Sequence, residues 1–154
     1  MKKNVFLICS LILSGIVSAQ TILKPEIPET RFSVTDYGAS ASALDNTVAI
    51  QKTIDECSAA GGGSVIIPAG TFMCGPIVMK SNINLVLDDG CILKALPYGK
   101  GNGIVEGSYP NNGKPDRYAH LISGKRVQNI KVSGKGVIEG DGSAWWTAFR
   151  ANRS

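Results

Sequence analysis

The chain has 154 residues, of which 44% are hydrophobic and 18% are charged, and its formal net charge is +4. This balance is typical of one packed domain and excludes an intrinsically disordered chain. Two of the lysines belong to an amino-terminal leader. Without them the chain has 14 basic and 12 acidic residues, and a net charge of +2 gives no reason to expect nucleic-acid binding.

Residues 1–19 predict a secretory signal peptide. Lys2 and Lys3 precede an apolar run over residues 5–17, and small side chains up to Ala19 form a cleavage site. The run is shorter than the ~20 residues that a membrane-spanning helix needs, which disfavours a membrane anchor. The mature chain is therefore predicted to begin at Gln20, to be secreted or periplasmic, and to have no membrane contact once the leader is removed.

An extended segment and a strand are predicted next. Residues 20–31 contain Pro25 and Pro28 and are interpreted as an extended lead-in. Residues 32–37 alternate apolar and polar side chains and stop at Gly38, which is the pattern of a strand followed by a turn. The main domain is therefore taken to span residues 32–154.

One helix is predicted in the mature chain. Asp45 or Asn46 can cap it, and it runs to about Ala60, where glycines 61–63 end it. Its apolar side chains recur at helical spacing and form one face, made of Ile50, Ile54 and Cys57.

Beyond residue 64 the sequence changes to short apolar segments between glycines, and it repeats. An offset of 20 relates the positions Val65, Ile67, Gly70 and Phe72 to Leu85, Leu87, Gly90 and Ile92. An offset of 45 relates Ile77, Lys80, Asn84, Leu85, Leu87 and Ile92 to Ile122, Lys125, Asn129, Ile130, Val132 and Val137. The second, larger offset requires an insertion, which is placed at residues 96–118.

Repeats of this length built from short strands predict a solenoid, whose coils bury their inner faces by stacking. The absence of further helices favours a parallel β-helix over an all-β sandwich, which would not need such an internal repeat. The predicted helix would cover the open first coil. Asn84 and Asn129 would stack at one turn and bond through their amides.

The cysteines predict neither a metal site nor a cofactor site. Cys9 leaves with the leader, so Cys57, Cys74 and Cys91 remain, and at most one internal disulfide is possible. The single histidine, His120, lies far beyond the last cysteine in the sequence, and no clustered metal ligands accompany it. We expect the three cysteines to be buried, unpaired and structural.

Three stretches together resemble the amino-terminal third of the polygalacturonase-type enzymes, glycoside hydrolase family 28. They are "FSVTDYGA", "AIQKTIDECSAAGGGSVIIPAGTFMCGPIVMKSNINLVLDDGCIL" and "NIKVSGKGVIEGDGSAWW", within residues 32–146. The first half also resembles pectate-lyase-like and phage tailspike β-helices. The last stretch therefore favours glycoside hydrolase family 28 over these other β-helix families. The resemblance implies a right-handed parallel β-helix that hydrolyses the α-1,4 bonds of galacturonan and is a monomer when full length. Its partner would be pectin or another uronate-containing polysaccharide.

The resemblance also implies that the catalytic groups lie outside this sequence. An inverting glycosidase needs two carboxyl groups roughly 6.5–9.5 Å apart. In the family, they come from an Asn-Thr-Asp motif and an Asp-Asp pair, supported by Gly-His-Gly and Arg-Ile-Lys. Asn-Thr-Asp, Gly-His-Gly and Arg-Ile-Lys do not occur here, and Asp88-Asp89, which resembles the second motif, is rejected because it closes a predicted strand at a turn. No catalytic, cofactor-binding or metal residue is therefore assigned.

Several residues are candidates for a site, and each has a structural interpretation that we favour. Asp88 and Asp89 are predicted to form a solvated turn, His120 to be structural or at the rim of a cleft, and Asp141 to bond to turn backbone. Trp145 and Trp146 are expected to pack against a further coil rather than to stack on a sugar. The insertion carries exposed cations that could meet uronate carboxylates: Lys100, Lys114 and Arg117.

The sequence after residue 146 shows no cap for the last coil, which predicts a fragment or truncated reading frame that is poorly soluble and inactive. Two other functions stay open. A polysaccharide lyase on the same fold would typically use calcium to acidify the proton beside the uronate carboxylate. A non-catalytic module would bind polysaccharide without cleaving it.

Overall fold

The computed structural model describes residues 26–97 and 120–140, together with residues 142, 143, 146, 147 and 150. The predicted leader lies outside the described residues, as do Lys100, Lys114, Arg117, Asp141 and Trp145. Among the described residues, no helix is long and apolar enough to cross a membrane.

The elements with described bounds are one α-helix, one 3-10 helix and nine short strands, and the described residues 143, 146, 147 and 150 after the last strand are also helical. The helices are the 3-10 helix Val34–Tyr37 and α1, Thr47–Ala59. The strands are β1 (Arg31–Ser33), β2 (Gly63–Ile67), β3 (Gly70–Cys74), β4 (Ile77–Val78), β5 (Ile83–Leu87), β6 (Cys91–Ala95), β7 (Ile122–Ser123), β8 (Lys131–Gly134) and β9 (Val137–Glu139).

The strands form three parallel sheets that wind around one axis, as a right-handed parallel β-helix. The first sheet has the order β1-β2-β5-β8, the second β3-β6-β9 and the third β4-β7. Each coil contributes one strand to each sheet in turn, and every pairing between coils is parallel. The predicted fold class is confirmed.

Alternation along the strands decides which side chains form the core. In β2 and β5, Val65, Ile67, Leu85 and Leu87 point inward and are buried, while Ser64 and Asn84 point outward. In β3 and β6 the buried positions are Phe72, Cys74, Cys91 and Leu93. The alternation follows from the two-residue period of a strand, so one face of each short segment is removed from water.

Helix α1 covers the first coil, as predicted. Asn46 stands at its N-cap, the Asp45 carboxylate accepts a hydrogen bond from the Thr47 N–H at 2.8 Å, and Ile50, Ile54 and Cys57 are fully buried. The amino-terminal end of the helix also reaches the strands below it. Thr47 Oγ1 accepts the Gly75 N–H at 2.6 Å, and the Asn46 N–H donates to the Met73 carbonyl at 2.8 Å.

The predicted strand at residues 32–37 is only partly present. β1 covers Arg31–Ser33, and the chain then enters the 3-10 helix, in which the Ala39 N–H donates to the Val34 carbonyl at 3.0 Å. Val34 is fully buried in the core by this turn. The alternating apolar and polar residues 32–37 therefore form the end of a strand and a tight turn. The extended lead-in ends at Thr30.

The register corrects the predicted repeats. Val65 lies opposite Leu85 at the offset of 20, but Phe72 lies opposite Leu93, at an offset of 21, because the turn before β6 is longer by one position than the turn before β3. The offset of 45 holds for Ile77 with Ile122 and for Ile92 with Val137. It fails between β5 and β8, where Leu85 lies opposite Val132.

The predicted stacking of Asn84 on Asn129 is wrong for the same reason. Asn129 Nδ2 instead donates to Asn82 Oδ1 at 3.0 Å, and both asparagines have a left-handed backbone, with φ of 53° and 61°. Asn84 bonds to serines in the neighbouring coils, accepting from Ser133 Oγ at 2.8 Å and donating to Ser64 Oγ at 3.4 Å. Two polar ladders therefore follow the solenoid where one was expected.

Candidate functional site

The outer face of the second sheet carries an ion pair between adjacent coils. The parallel register places Met73, Lys94 and Glu139 in one outward row across β3, β6 and β9. Lys94 Nζ lies 2.7 Å from Glu139 Oε1, and the two side chains are 28% and 45% exposed. Because a pair of this exposure adds little to stability, its importance lies in presenting a cation and a carboxylate at one surface.

A second outward row accompanies the first and is less polar. It is made of Thr71, Ile92 and Val137. Val137 is 56% exposed, so this row offers an apolar contact beside the Lys94–Glu139 pair. A flat strip with apolar, cationic and anionic groups is suited to a sugar chain, which presents both C–H faces and polar substituents.

The ends of the second sheet are flanked by different connections. On one side lie the turn of Asp88 and Asp89 and the residue Lys135, whose Nζ is 3.9 Å from Asp89 Oδ2. On the other side, β6 ends at Ala95 and the chain returns at Ile122, so the predicted insertion leaves from this edge. The outer face is therefore bordered on one side by a charged turn.

The Asp88 and Asp89 pair is a turn, as predicted. The Asp88 N–H donates to the Ile67 carbonyl at 3.0 Å, and the Cys91 N–H donates to the Asp88 carbonyl at 3.0 Å. Asp89 and Lys135 are both about four-fifths exposed, at 82% and 80%. The carboxylates thus close a strand connection and face solvent.

The remaining candidates are not brought together. His120 is exposed and lies two residues before the start of β7. Trp146 is 61% exposed, and its packing against a further coil stays a prediction. In the described part of the chain, no group of three or more His, Cys, Asp or Glu side chains could hold a metal ion.

The three cysteines are buried and unpaired, as expected. Burial raises the pKa of Cys57 and Cys91 to about 11, and the Asp88 charge adds to the effect at Cys91. Burial, followed by the Asp45 charge, raises the pKa of Cys74 to about 12. These thiols are therefore protonated at neutral pH and unsuited to nucleophilic chemistry.

Sequence reasoning missed the Lys94–Glu139 pair, although the signal was present. The offset of 45 that relates Ile92 to Val137 also relates Lys94 to Glu139. Opposite charges at equivalent outward positions of neighbouring coils predict a cross-strand pair. Glu139 supplies one carboxylate to this face, whereas hydrolysis with inversion needs two carboxyl groups roughly 6.5–9.5 Å apart.

Comparison with known proteins agrees with this architecture. The family model described as rhamnogalacturonase A/epimerase, pectate lyase-like, matches residues 31–153. A probable polygalacturonase of Vitis vinifera is 28% identical over 79% of this chain and 26% of its own length. An exo-poly-alpha-D-galacturonosidase of Dickeya chrysanthemi is 32% identical over 84% of this chain and 22% of its own length.

A solved structure extends the agreement to three dimensions. The exopolygalacturonase of Thermotoga maritima superposes with a TM-score of 0.61 and 26% identity, over 77% of this chain and 27% of that one. The chain thus spans about a quarter of the length of the curated relatives it matches. Together with the three parallel sheets and the capping helix, these matches place the chain in the rhamnogalacturonase A/epimerase, pectate lyase-like family, as a piece of the polygalacturonase type.

Proposed function

We propose that this chain forms the amino-terminal coils of a secreted glycoside hydrolase that cleaves the α-1,4 bonds of galacturonan in pectin with inversion of configuration. The observation that carries the proposal is the agreement with galacturonan-cleaving relatives over most of the chain, 84% of it in sequence and 77% in structure. The leader sequence, with Lys2 and Lys3 before an apolar run, supports export.

In this proposal the coils described above serve as a scaffold and as one end of a substrate groove. The outer face of the second sheet offers Lys94 to a uronate carboxylate, while Val137 contacts the sugar ring. The two catalytic carboxyl groups belong to later coils of a longer polypeptide. Glu139 is then an electrostatic partner of Lys94 and not the general acid.

The test uses the longer polypeptide encoded by the gene from which this sequence comes. Incubation with polygalacturonate is expected to release new reducing ends without ultraviolet absorbance, and proton NMR of the first product is expected to show the inverted anomer. Substitution of the aspartates in its Asn-Thr-Asp and Asp-Asp motifs should abolish release while leaving substrate binding in place.

Other outcomes identify the competing functions. Ultraviolet-absorbing products that form only when calcium is present would identify a lyase, because elimination leaves an unsaturated uronate. A change of sugar configuration without chain cleavage would identify an epimerase. Binding with neither change would identify a non-catalytic module, and any of these three results would overturn the hydrolase proposal.

The 154-residue chain is the matched control for the position of the catalytic groups. It is expected to release no reducing ends from polygalacturonate. Cleavage by this chain alone would show that the catalytic carboxylates lie within it. Export is tested separately, by sequencing the amino terminus of the exported protein, which is expected to begin at Gln20.

A further inference from the structure

The turn that precedes β9 departs from the repeat at Lys135. The pairing of Ile92 with Val137 aligns Lys135 with Gly90 in the coil before. Gly90 has a left-handed backbone, with φ of +77°, whereas the left-handed glycine of the later turn is Gly134, with φ of +108°. Because the left-handed position has moved by one residue, a lysine can stand at position 135 without backbone strain.

Lys135 is held at the border of the outer face of the second sheet. Its N–H donates to the Leu87 carbonyl at 3.0 Å, which fixes the backbone to the preceding coil. Its side chain is 80% exposed, and Nζ lies 3.9 Å from Asp89 Oδ2, a loose ion pair. Among the described residues, neither side chain makes another ion pair or hydrogen bond. The ammonium group can therefore exchange Asp89 for a carboxylate of a ligand.

The charge along this border changes sign from one coil to the next. The turn before β3 carries the uncharged residues Pro68 and Ala69, the turn before β6 carries Asp88 and Asp89, and the turn before β9 carries Lys135. A sugar chain that follows the solenoid axis along the outer face passes these turns in order. An anionic chain is therefore attracted at the third coil and repelled at the second.

The Lys94–Glu139 pair lies at the other end of the same strands. Lys135 precedes Glu139 by four residues, which separates the two by about 13 Å at ~3.3 Å per residue of strand. Between them, Val137 is 56% exposed and offers an apolar contact. A sugar chain that crosses β9 therefore has Lys135 on one side and the Lys94–Glu139 pair on the other.

We propose that Asp89 and Lys135 set the amino-terminal end of the uronate-binding groove. Lys135 leaves Asp89 and binds one uronate carboxylate beside the third coil. The Asp89 carboxylate, then without its cation, repels a further uronate one coil earlier, at a strand spacing of about 4.8 Å. The inference rests on the proposed function, because it takes a polyuronate as the ligand. Affinity should then rise with the length of the sugar chain only until the chain reaches Asp89.

Calorimetry with oligogalacturonides of increasing length tests this end of the groove. The protein is the longer polypeptide, with its catalytic aspartates replaced so that the ligand stays intact. With Asp89 and Lys135 present, the Kd is expected to fall with length and then to stop falling. Lys135→Gln should raise the Kd about three- to fivefold at and beyond that limiting length, and not for shorter oligomers. Asp89→Asn should let the Kd fall further for oligomers longer than the limit.

Two matched variants control for net charge. Lys131→Gln, on the first sheet of the same coil, makes the same change in charge as Lys135→Gln. Asp36→Asn, in the 3-10 helix, makes the same change as Asp89→Asn. Both residues are exposed, and both variants should leave the whole length series unchanged. A control that shifts the Kd as much as its counterpart would assign the effect to net charge and overturn the proposal.

The remaining outcomes separate this inference from the proposed function. Release of reducing ends together with an unchanged Kd in Lys135→Gln would overturn the groove end and leave the hydrolase in place. A Kd that keeps falling with length while Asp89 is present would do the same, as would a Lys135→Gln effect that is equal at all lengths. Length-limited binding without cleavage would support the groove end and overturn the hydrolase. A polypeptide that binds none of the oligomers would overturn both.

Discussion

The side-chain amide of Gln51 pairs with both backbone groups of Val78. Gln51 Oε1 accepts the Val78 N–H at 2.8 Å, and Gln51 Nε2 donates to the Val78 carbonyl at 3.1 Å. Val78 belongs to β4, the first strand of the third sheet, which has β7 on one side only. A helix side chain therefore satisfies the backbone N–H and C=O groups of β4 that an earlier strand would otherwise pair with. Helix α1 thus covers the backbone edge of this sheet as well as the core.

We expect Gln51→Ala to lower the free energy of unfolding by about 1–2 kcal/mol, because two edge groups lose their protein partner while partly accessible to water. Urea unfolding followed by circular dichroism measures the change. Glu56→Ala, at an exposed position of the same helix, is the control and should change stability by less than about 0.5 kcal/mol. Equal effects of the two substitutions would show that the amide pairing contributes nothing.

Gly134 is required where the first sheet passes into the second. Its φ is +108°, and a Cβ at this position would lie 1.8 Å from the Leu87 carbonyl oxygen. Gly134→Ala is expected to cost about 2–5 kcal/mol, because backbone strain and a clash with backbone occur together. Gly140→Ala is the control, since a Cβ there meets nothing within 4 Å. Thermal unfolding of the two variants should separate them, and similar melting temperatures would contradict the role of Gly134.

The left-handed backbone of Asn129 allows the cost of backbone strain to be separated from the cost of losing a hydrogen bond. Its φ is 53°, and its amide donates to Asn82 at 3.0 Å. Asn129→Ala loses the amide and retains the strained backbone, so we expect a loss of about 1–2 kcal/mol. Asn129→Gly loses the same amide but tolerates the backbone, and should be less destabilised. A glycine variant that is no more stable than the alanine variant in urea would show that the left-handed backbone adds no strain at this position.

The buried thiols predict a decline of stability at alkaline pH. Their folded pKa values, about 11 for Cys57 and Cys91 and about 12 for Cys74, lie above the reference value of 9.0. From pH 9 upward the unfolded chain loses thiol protons first, so stability falls as pH rises, with a limiting slope of about 1.4 kcal/mol per pH unit for each thiol.

Urea unfolding at pH 8 and pH 10 under reducing conditions measures this slope. Cys74→Ala should have a smaller loss between the two pH values than the unmodified chain, whatever its stability at pH 8. The folded chain should also react slowly with a thiol reagent at pH 8 and rapidly in denaturant. A slope that Cys74→Ala leaves unchanged would assign the alkaline sensitivity to other groups.

The elements that depend on residues close together in the sequence were predictable from sequence. The cap near Asn46 and the spacing of Ile50, Ile54 and Cys57 predicted α1, and the alternation around Val65 and Leu85 predicted the inward rows. Both patterns are local, because a helix and a strand each impose a fixed period on the side chains that they bury. The polygalacturonase-type resemblance rested on the same segments, and the comparisons confirmed it.

The partners across coils were decided by tertiary structure. Asn129 meets Asn82 and not Asn84, since the connection from β7 to β8 is longer than the one from β4 to β5 and raises the offset between coils from 45 to 47. The length of a turn shifts the register of the strand after it, and the shorter turn between β8 and β9 returns the offset to 45, so no constant offset describes the whole repeat. The Lys94–Glu139 pair depends on stacked strands from distant parts of the chain. The sequence by itself determined which side chains face inward, and only the tertiary structure decided which side chains meet, because contact between coils depends on turn geometry as well as on residue type.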